Sequence, residues 1–438
     1  MGKSACLLAL LLVVAAGAGF CAEWHLATPA PRSLPTLVVD SANQQGVMFA
    51  GGTHEHYLND VWGLRLNQNT GYALYRIQTN GTPPHGRLGH SAICDPIGQR
   101  MMIFGGRDEV SARADLWALD LTTNTWQELH PAGDQPRARV FHSAIYHPGR
   151  RSMILFDGTD LGNAYDEVWE LKLDTLKWCR LSIPGTHPSA RWSYVLGLDR
   201  TENRLVTLYG QSGDSIVTDA WALDLTPGSE RWTELNTTGD APSPRSSSAC
   251  CIDDAGRRVW LFGGYYYPPF TFYNELYCFD LDALVWSRVL TTNEQPWERR
   301  CAAGMYDPGM TSFVVFGGQG YETYFSDLWC IDLSTVGTKE WQGAGIEQTT
   351  PRLQMPAVAS RQLRLRYFLP QPGDVRVRIV DGAGRVVRGL FSGKSEGTGG
   401  WLTWDGRDDN GKLSPAGSYF CYMETGQTGL SRKFVLTE

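Results

Sequence analysis

A repeat constrains this chain more than any other feature. A glycine pair and its relics recur at Gly51-Gly52, Gly105-Gly106, Asp157-Gly158, Gly210-Gln211, Gly263-Gly264 and Gly317-Gly318, at spacings of 54, 52, 53, 53 and 54 residues. An aromatic follows at Trp62, Trp117, Trp169, Trp221, Tyr277 and Trp329, and a second at Tyr75, Trp126, Trp178, Trp232, Trp286 and Trp341. Three columns in register over six copies mean that one supersecondary unit is built six times.

The second copy shows what the unit is. Strand patterns at 91–94, 100–104, 116–121 and 126–129 are separated by Pro, Gly, Asp and Asn, the residues that β-turns require. Four short antiparallel strands per 50-odd residues predict the blades of a β-propeller. The glycines allow positive φ and close approach where the second strand ends, and the aromatics fill the wedge between blades.

Unit length, the runs Phe104-Gly105-Gly106, Phe262-Gly263-Gly264 and Phe316-Gly317-Gly318, and the spaced aromatics resemble kelch repeats over roughly residues 24–345. The expected fold is therefore all-β: a kelch-type propeller of six blades over 23–350, with seven as the alternative. Trp24–Leu26 reads as a fourth strand without its blade and is expected to close the ring.

Two polar columns accompany the repeat. Arg32, Arg87, Arg139, Arg191, Arg245 and Arg299 precede the glycine pair, and Asp60, Asp115, Glu167, Asp219, Glu275 and Asp327 lie two residues before the first aromatic. Strand order puts both on one rim. Either they form a charged mouth for an ionic ligand, or they are scaffold, arginine–carboxylate pairs that stitch blades and satisfy buried carbonyls. Recurrence in every blade favours scaffold.

After Pro351–Pro356, expected as part of a linker over 351–360, alternating strand patterns fill 361–438 with no helical period, which predicts a small β-sandwich. Trp404-Asp405-Gly406-Arg407-Asp408-Asp409-Asn410-Gly411, Pro415–Phe420 and the terminal Arg432-Lys433-Phe434-Val435-Leu436 resemble the Ig-like module of bacterial flagellar hook-capping proteins and related C-terminal sorting modules. That resemblance implies a secreted or cell-surface bacterial protein, with the module serving for retention, export or spacing. Asp405, Asp408 and Asp409 offer oxygen ligands for Ca²⁺ but suit a tight turn better.

Residues 1–22 read as a signal peptide: Lys3, then an apolar stretch over 5–18, then Gly17, Gly19 and Ala22. Export to the cell surface, outside or periplasm is expected. No other segment is long and apolar enough to span a membrane. Without 1–22 the formal charge is −8, split as −13 over 23–350 and +5 over 351–438, so the larger part repels nucleic acid. The absence of any C-x-x-C pair argues against zinc ribbons and thioredoxin-like chemistry. Cys278 and Cys330 share a repeat position with Ala118 and Ala222 and read as small buried residues.

Kelch propellers include copper radical oxidases and sialic-acid mutarotases, so catalysis needs an argument. All nine histidines lie at or before His187, which leaves the last two blades without a copper ligand of that type. His54-x-His56 lacks a third ligand, and no Gly-x-Ser-x-Gly elbow, P-loop or HExxH helix is present. No catalytic residue, cofactor or metal is expected. A carbohydrate-active enzyme of the mutarotase or galactose-oxidase kind, using mouth arginines and carboxylates, stays as the alternative to a binding protein.

One segment stands out. The loop after the second strand of the fifth copy runs Tyr265-Tyr266-Tyr267-Pro268-Pro269-Phe270-Thr271-Phe272-Tyr273; its counterpart in the sixth contains Tyr321 and Tyr324, and Trp297 falls on the same face by strand parity. Exposed rings on loops of a rigid scaffold suit a protein hot spot or a sugar face. The predicted binding residues are Tyr265, Tyr266, Tyr267, Phe270, Phe272, Tyr273, Trp297, Tyr321 and Tyr324, with a protein or glycan as partner; otherwise they pack on one another as a mini-core.

Overall fold

The computed structural model describes residues 29–67, 71–291, 295–321, 323–336, 351–355, 358–360, 362–369, 372–395, 399–426 and 428–437. The signal peptide, Trp24–Leu26 and Trp341 lie outside them. Two compact units divide near residue 338.

The first unit is built of six antiparallel sheets at 36–77, 91–129, 143–180, 195–234, 249–289 and 303–332. Five have four blade strands in sequence order; the sixth shows three among the described residues. The first strands, from Thr36–Asp40 to Ala303–Asp307, each neighbour the next around a ring, and the last neighbours the first. Six blades therefore close the propeller, and the seven-blade alternative is set aside.

Burial explains why the second strands read as unbroken apolar runs. Ser152–Phe156 and Ser312–Phe316 are buried at all five positions, because a blade's middle strands pack on neighbouring blades through both faces. Outer strands such as Lys177–Arg180 keep only Trp178 buried. The second aromatic column crosses between blades: Trp126 lies against Phe49, Trp178 against Phe104 and Trp232 against Phe156, with ring centroids 4.9, 5.3 and 5.0 Å apart.

The glycine pair is a pair of left-handed residues. They are Ala50-Gly51, Gly105-Gly106, Asp157-Gly158, Tyr209-Gly210, Gly263-Gly264 and Gly317-Gly318, all with φ between 55° and 123°. The first and fourth copies are thus one residue out of the register expected from glycine identity. The requirement is steric: a Cβ on Gly105, Gly263 or Gly317 would lie 2.6–2.9 Å from the next blade's arginine carbonyl. Blade 1 also departs at the second aromatic. Leu64 pairs with Leu74, as Leu119 pairs with Trp126, so Leu74 holds the column position and Tyr75 faces the other way.

The expected linker is partly structured. Arg352–Gln354 pairs with Leu363–Phe368, and Val358–Ser360 runs parallel to the terminal strand Thr428–Thr437. The second unit consists of a three-stranded and a five-stranded sheet around Trp404, Tyr419, Phe434, Val377 and Ile379. Its alternating pattern was legible; the two short strands lacked enough length to show one. Asp405 and Asp408 accept turn N–H groups from Arg407, Asn410 and Lys412, and Asp409 accepts from Gly389, as the tight-turn reading requires.

Candidate functional site

The rim that carries the glycine pairs is where both ligand readings are decided. The column arginines are buried to 0 or 1 % exposure. Arg87 donates Nε–H to the His85 carbonyl, Nη1 to the Gly105 carbonyl at 2.9 Å and to Asp115 at 2.7 Å, and Nη2 to Asp115 at 2.8 Å. Arg32, Arg191 and Arg299 repeat the bidentate pairing with Asp60, Asp219 and Asp327, while Arg139 and Arg245 bind Glu167 and Glu275 through one oxygen. The first aromatic column joins in, since the indoles of Trp62, Trp117, Trp169, Trp221 and Trp329 donate to the same carboxylates.

Each pair stays within one blade; the backbone does the stitching. Gly51, Gly106, Gly158, Gly264 and Gly318 donate N–H to the carbonyls of Arg87, Arg139, Arg191, Arg299 and Arg32, the last bond joining blade 6 to blade 1. Nearer the axis, Leu34 donates to Cys301, Phe141 to Gly89, Ser193 to Phe141, Ser247 to Ser193 and Cys301 to Ser247. Burial alone would raise the column carboxyls, but hydrogen bonds and charge from the arginines, with the indoles, hold Asp60, Asp115 and Asp219 below the ordinary carboxylate range. Buried arginines whose forks are already engaged by a carboxylate and by blade carbonyls are not turned toward a ligand in the mouth. This is the scaffold arrangement, and it removes the groups on which the mutarotase-type alternative drew.

Three polar side chains of this rim were missed. Asp157 sits in the glycine column, fully buried, with no hydrogen-bond partner on either carboxylate oxygen; burial pushes its carboxyl well up, against the lowering charges of Arg191 and Arg139. His90 and His142 occupy one repeat position and bridge blades, their Nε2 atoms 2.8 Å from the Thr36 hydroxyl and 2.9 Å from the Ser91 hydroxyl. Burial first, then the charge of Arg87, lowers His90 to about 3. Burial likewise holds His142 well below its ordinary value. The available signal was a carboxylate standing in a glycine column.

The aromatic loops divide into three parts. Tyr267, Phe270 and Tyr321 are exposed by 52, 57 and 47 %. Tyr267 and Phe270 lie 4.5 Å apart by ring centroid, and the Tyr321 hydroxyl donates to the Phe270 carbonyl at 3.2 Å, tying the blade 5 loop to the blade 6 loop. Beneath them, Phe272 is buried 4.5 Å from the Tyr321 ring, with half-buried Tyr265 under the Arg300 guanidinium at 4.4 Å. Tyr266 is half-buried in the short pairing of Tyr265–Tyr266 with Thr271–Phe272.

The remaining predicted residues belong to the scaffold. Arg245 lies 3.9 Å over the Tyr273 ring, as Arg139 lies over Tyr165 and Arg299 over Phe325 in their own blades. Half-buried Trp297 offers its carbonyl to Arg299, and Tyr324 stacks on His54 at 5.9 Å. In blades 2 and 3 the loop at the Tyr267–Phe270 position is a tight turn in which Asp108 or Asp160 accepts two backbone N–H groups, with the aliphatic Val110 or Leu161 exposed in place of a ring. The exposed rings are thus peculiar to blades 5 and 6.

Among the described residues no group of three metal-ligating side chains converges, and no helix is long and apolar enough to cross a membrane. His54 and His56 are exposed and both lie near Glu55. The eight cysteines in the described residues have free thiols. At the shared repeat position Ala118 and Ala222 are buried, Cys278 is half-buried and Cys330 is exposed, so the small-buried reading fails at Cys330.

Comparison with known proteins places this geometry. The profile of the KLHDC2/KLHL20/DRC7 Kelch-repeats domain matches residues 20–196, 72–264 and 254–361, well over half of the chain. Acyl-CoA-binding domain-containing protein 4 of Arabidopsis thaliana is 29 % identical over 269 residues, covering 59 % of this chain and 39 % of that protein. Acyl-CoA-binding domain-containing protein 5 of the same plant is 35 % identical over 116 residues, 26 % of this chain and 17 % of its own. Kelch domain-containing protein 10 of Homo sapiens is 24 % identical over 278 residues, 58 % of this chain and 60 % of its own. The chain spans less than two thirds of the length of each. The solved structure titled "Structure of YjhT" shares the fold, with a TM-score of 0.53 at 13 % identity, covering 69 % of this chain and 95 % of that one.

Proposed function

The chain belongs to the KLHDC2/KLHL20/DRC7 Kelch-repeats domain family, and we propose that it is a protein-binding propeller whose contact surface is the aromatic platform of Tyr267, Phe270 and Tyr321. The observation that carries this is their exposure on loops locked together by the Tyr321 hydroxyl, over a packed floor of Phe272 and Tyr265. Leaving three rings in water is unfavourable unless something covers them, and rigid aromatics lose little entropy on binding. A protein segment with apolar side chains is the matching partner; the flat rings would also accept a sugar face. Export through residues 1–22 and retention or spacing by the C-terminal sandwich complete the reading and rest on sequence resemblance.

Site-specific photo-cross-linking tests the platform. A photoreactive residue at position 267 of the full chain, expressed in its native host, should give one discrete protein adduct. A probe at exposed Ile97, in the turn at the opposite end of a blade, should not. Equal labelling from both positions, or none from 267, would overturn the assignment. Fractionation of the same cells tests export: retention of the uncleaved chain inside the cell contradicts it.

A further inference from the structure

The connections between blades also pair with the outer strands they reach. After the outer strand of blade 1, Asn80 donates its N–H to the Asn124 carbonyl of blade 2 at 2.7 Å and accepts from the Trp126 N–H at 3.0 Å. Ala132 makes the same two bonds to Leu176 and Trp178 of blade 3. Thr238-Gly239 pairs in parallel with Val285-Trp286 of blade 5, and Thr238 donates to the Leu284 carbonyl. Each clasp is followed by or contains a left-handed glycine, Gly81, Gly133 or Gly239, at which a Cβ would lie 3.0 Å or less from the tryptophan carbonyl. The exposed edges of these three blades are thereby paired by the chain itself.

Blade 4 lacks both halves of the clasp. Pro184 stands six residues after Trp178, as Asn80, Ala132 and Thr238 stand six after Leu74, Trp126 and Trp232, and proline has no N–H to donate. On the receiving side, the four-residue turns 121–124, 173–176 and 281–284 end on left-handed Asn124, Leu176 and Leu284, whose carbonyls accept the clasp. The turn of blade 4 has six residues, 225–230, and its last, Glu230, is not left-handed; Arg150 of blade 3 holds the Glu230 carboxylate at 2.9 Å. Gly185 keeps the left-handed conformation, with φ 92°, but a Cβ there would meet nothing within 4 Å, and residues 184–187 are exposed. Trp232 pairs with Leu223 as Trp126 pairs with Leu119, so its N–H faces outward as that of Trp126 does. Among the described residues nothing accepts it.

We propose that the open edge of blade 4, Arg231–Glu234, docks an extended segment of a partner protein in which a small residue, glycine and aspartate follow one another. The three filled edges define this occupant, since they hold Asn80-Gly81-Thr82, Ala132-Gly133-Asp134 and Thr238-Gly239-Asp240. The first residue of the segment accepts from the Trp232 N–H, and its third donates to the Trp232 carbonyl, as Asp240 donates to that of Trp286 at 2.9 Å. Glycine between them permits the close approach, and main-chain bonds supply the attraction, as in other strand additions to a sheet edge. Arg231 is exposed and precedes Trp232 as Lys177 precedes Trp178 beside Gly133, which favours aspartate as the third residue. The edge lies on an outer strand, apart from the aromatic platform, and does not depend on it.

Backbone amide exchange in the full chain, isotope-labelled at tryptophan, tests this, with the end-blocked peptide Leu-His-Pro-Ala-Gly-Asp-Gln-Pro, the sequence of residues 129–136, as the probe. In the free chain the Trp232 N–H should exchange at least tenfold faster than those of Trp126, Trp178 and Trp286. Peptide at about 10 mM should slow Trp232 at least threefold, saturably, and leave the other three unchanged. The same peptide with valine in place of glycine should have no effect. Pro184→Ala, combined with the 281–284 turn in place of 225–230, should protect Trp232 without peptide and abolish the peptide effect; the valine peptide keeps the test decisive should that variant not fold. Slow Trp232 exchange in the free chain, no slowing by peptide, or equal slowing by the valine peptide would overturn the proposal. Protection that rises with protein concentration alone would overturn it in favour of a second copy as the occupant.

Discussion

Asp157→Gly should stabilise the propeller. Asp157 stands at φ 55° in a column that holds glycine in three other blades, and its buried carboxylate has no hydrogen-bond partner. A non-glycine residue in the left-handed region costs about 1 kcal/mol, somewhat less for Asp, and a buried unsatisfied polar group about 1–3 kcal/mol. The added freedom of glycine in the unfolded chain returns about 0.5–1 kcal/mol. The balance is roughly 2 kcal/mol in favour of the variant, or about 4 °C in melting temperature for a large domain.

The pH dependence separates the contributions. A carboxyl whose folded-state pKa is raised stabilises the fold below its unfolded value near 3.8, and that stabilisation is lost as pH rises through the folded value. The advantage of Asp157→Gly should therefore be smallest below about pH 4 and widen as pH rises. Asp157→Asn keeps the backbone conformation and the burial but removes the charge, so it should abolish the widening while gaining less overall. Thermal unfolding of the three proteins between pH 4 and 8 is the assay. An equal or lower melting temperature for Asp157→Gly, or a gap that does not grow with pH, refutes the reasoning.

Other expectations follow from the same geometry. Arg87→Ala strands Asp115 and the Gly105 carbonyl and should cost about 3–5 kcal/mol, read as a lower denaturant midpoint. Because buried His90 has its pKa depressed to about 3, the stability it confers by staying neutral is present above pH 6.5 and lost as pH falls below it; His90→Gln should flatten that acid loss in pH-dependent melts. Exposed Tyr267→Ala and Phe270→Ala should each change stability by less than about 0.5 kcal/mol in melts.

Much of this fold was legible because a closed ring repeats its own packing problem. The period and the aromatic wedge follow from each blade meeting its neighbour in the same way, and the arginine–carboxylate columns from the same pairing repeated inside each blade. Register was less legible. Glycine marks where two backbones approach, yet Ala50 and Tyr209 tolerate the same left-handed conformation, so identity alone misplaced the pair by one residue in blades 1 and 4. The same slip assigned Tyr75 to a column that Leu74 fills. Within the aromatic loops, composition indicated a cluster but not which rings face water. Tyr273 and Phe272 differ from Tyr267 only in how the hairpin and the blade beneath them turn, which is a property of three-dimensional packing.

The affinity of the protein captured at position 267, measured against the purified full chain and its Tyr267→Ala/Phe270→Ala variant, tests the central claim most directly. Truncating hot-spot aromatics costs about 2 kcal/mol or more each, so the account predicts at least a hundredfold loss with the melting temperature nearly unchanged. Affinity within threefold of the original would contradict it.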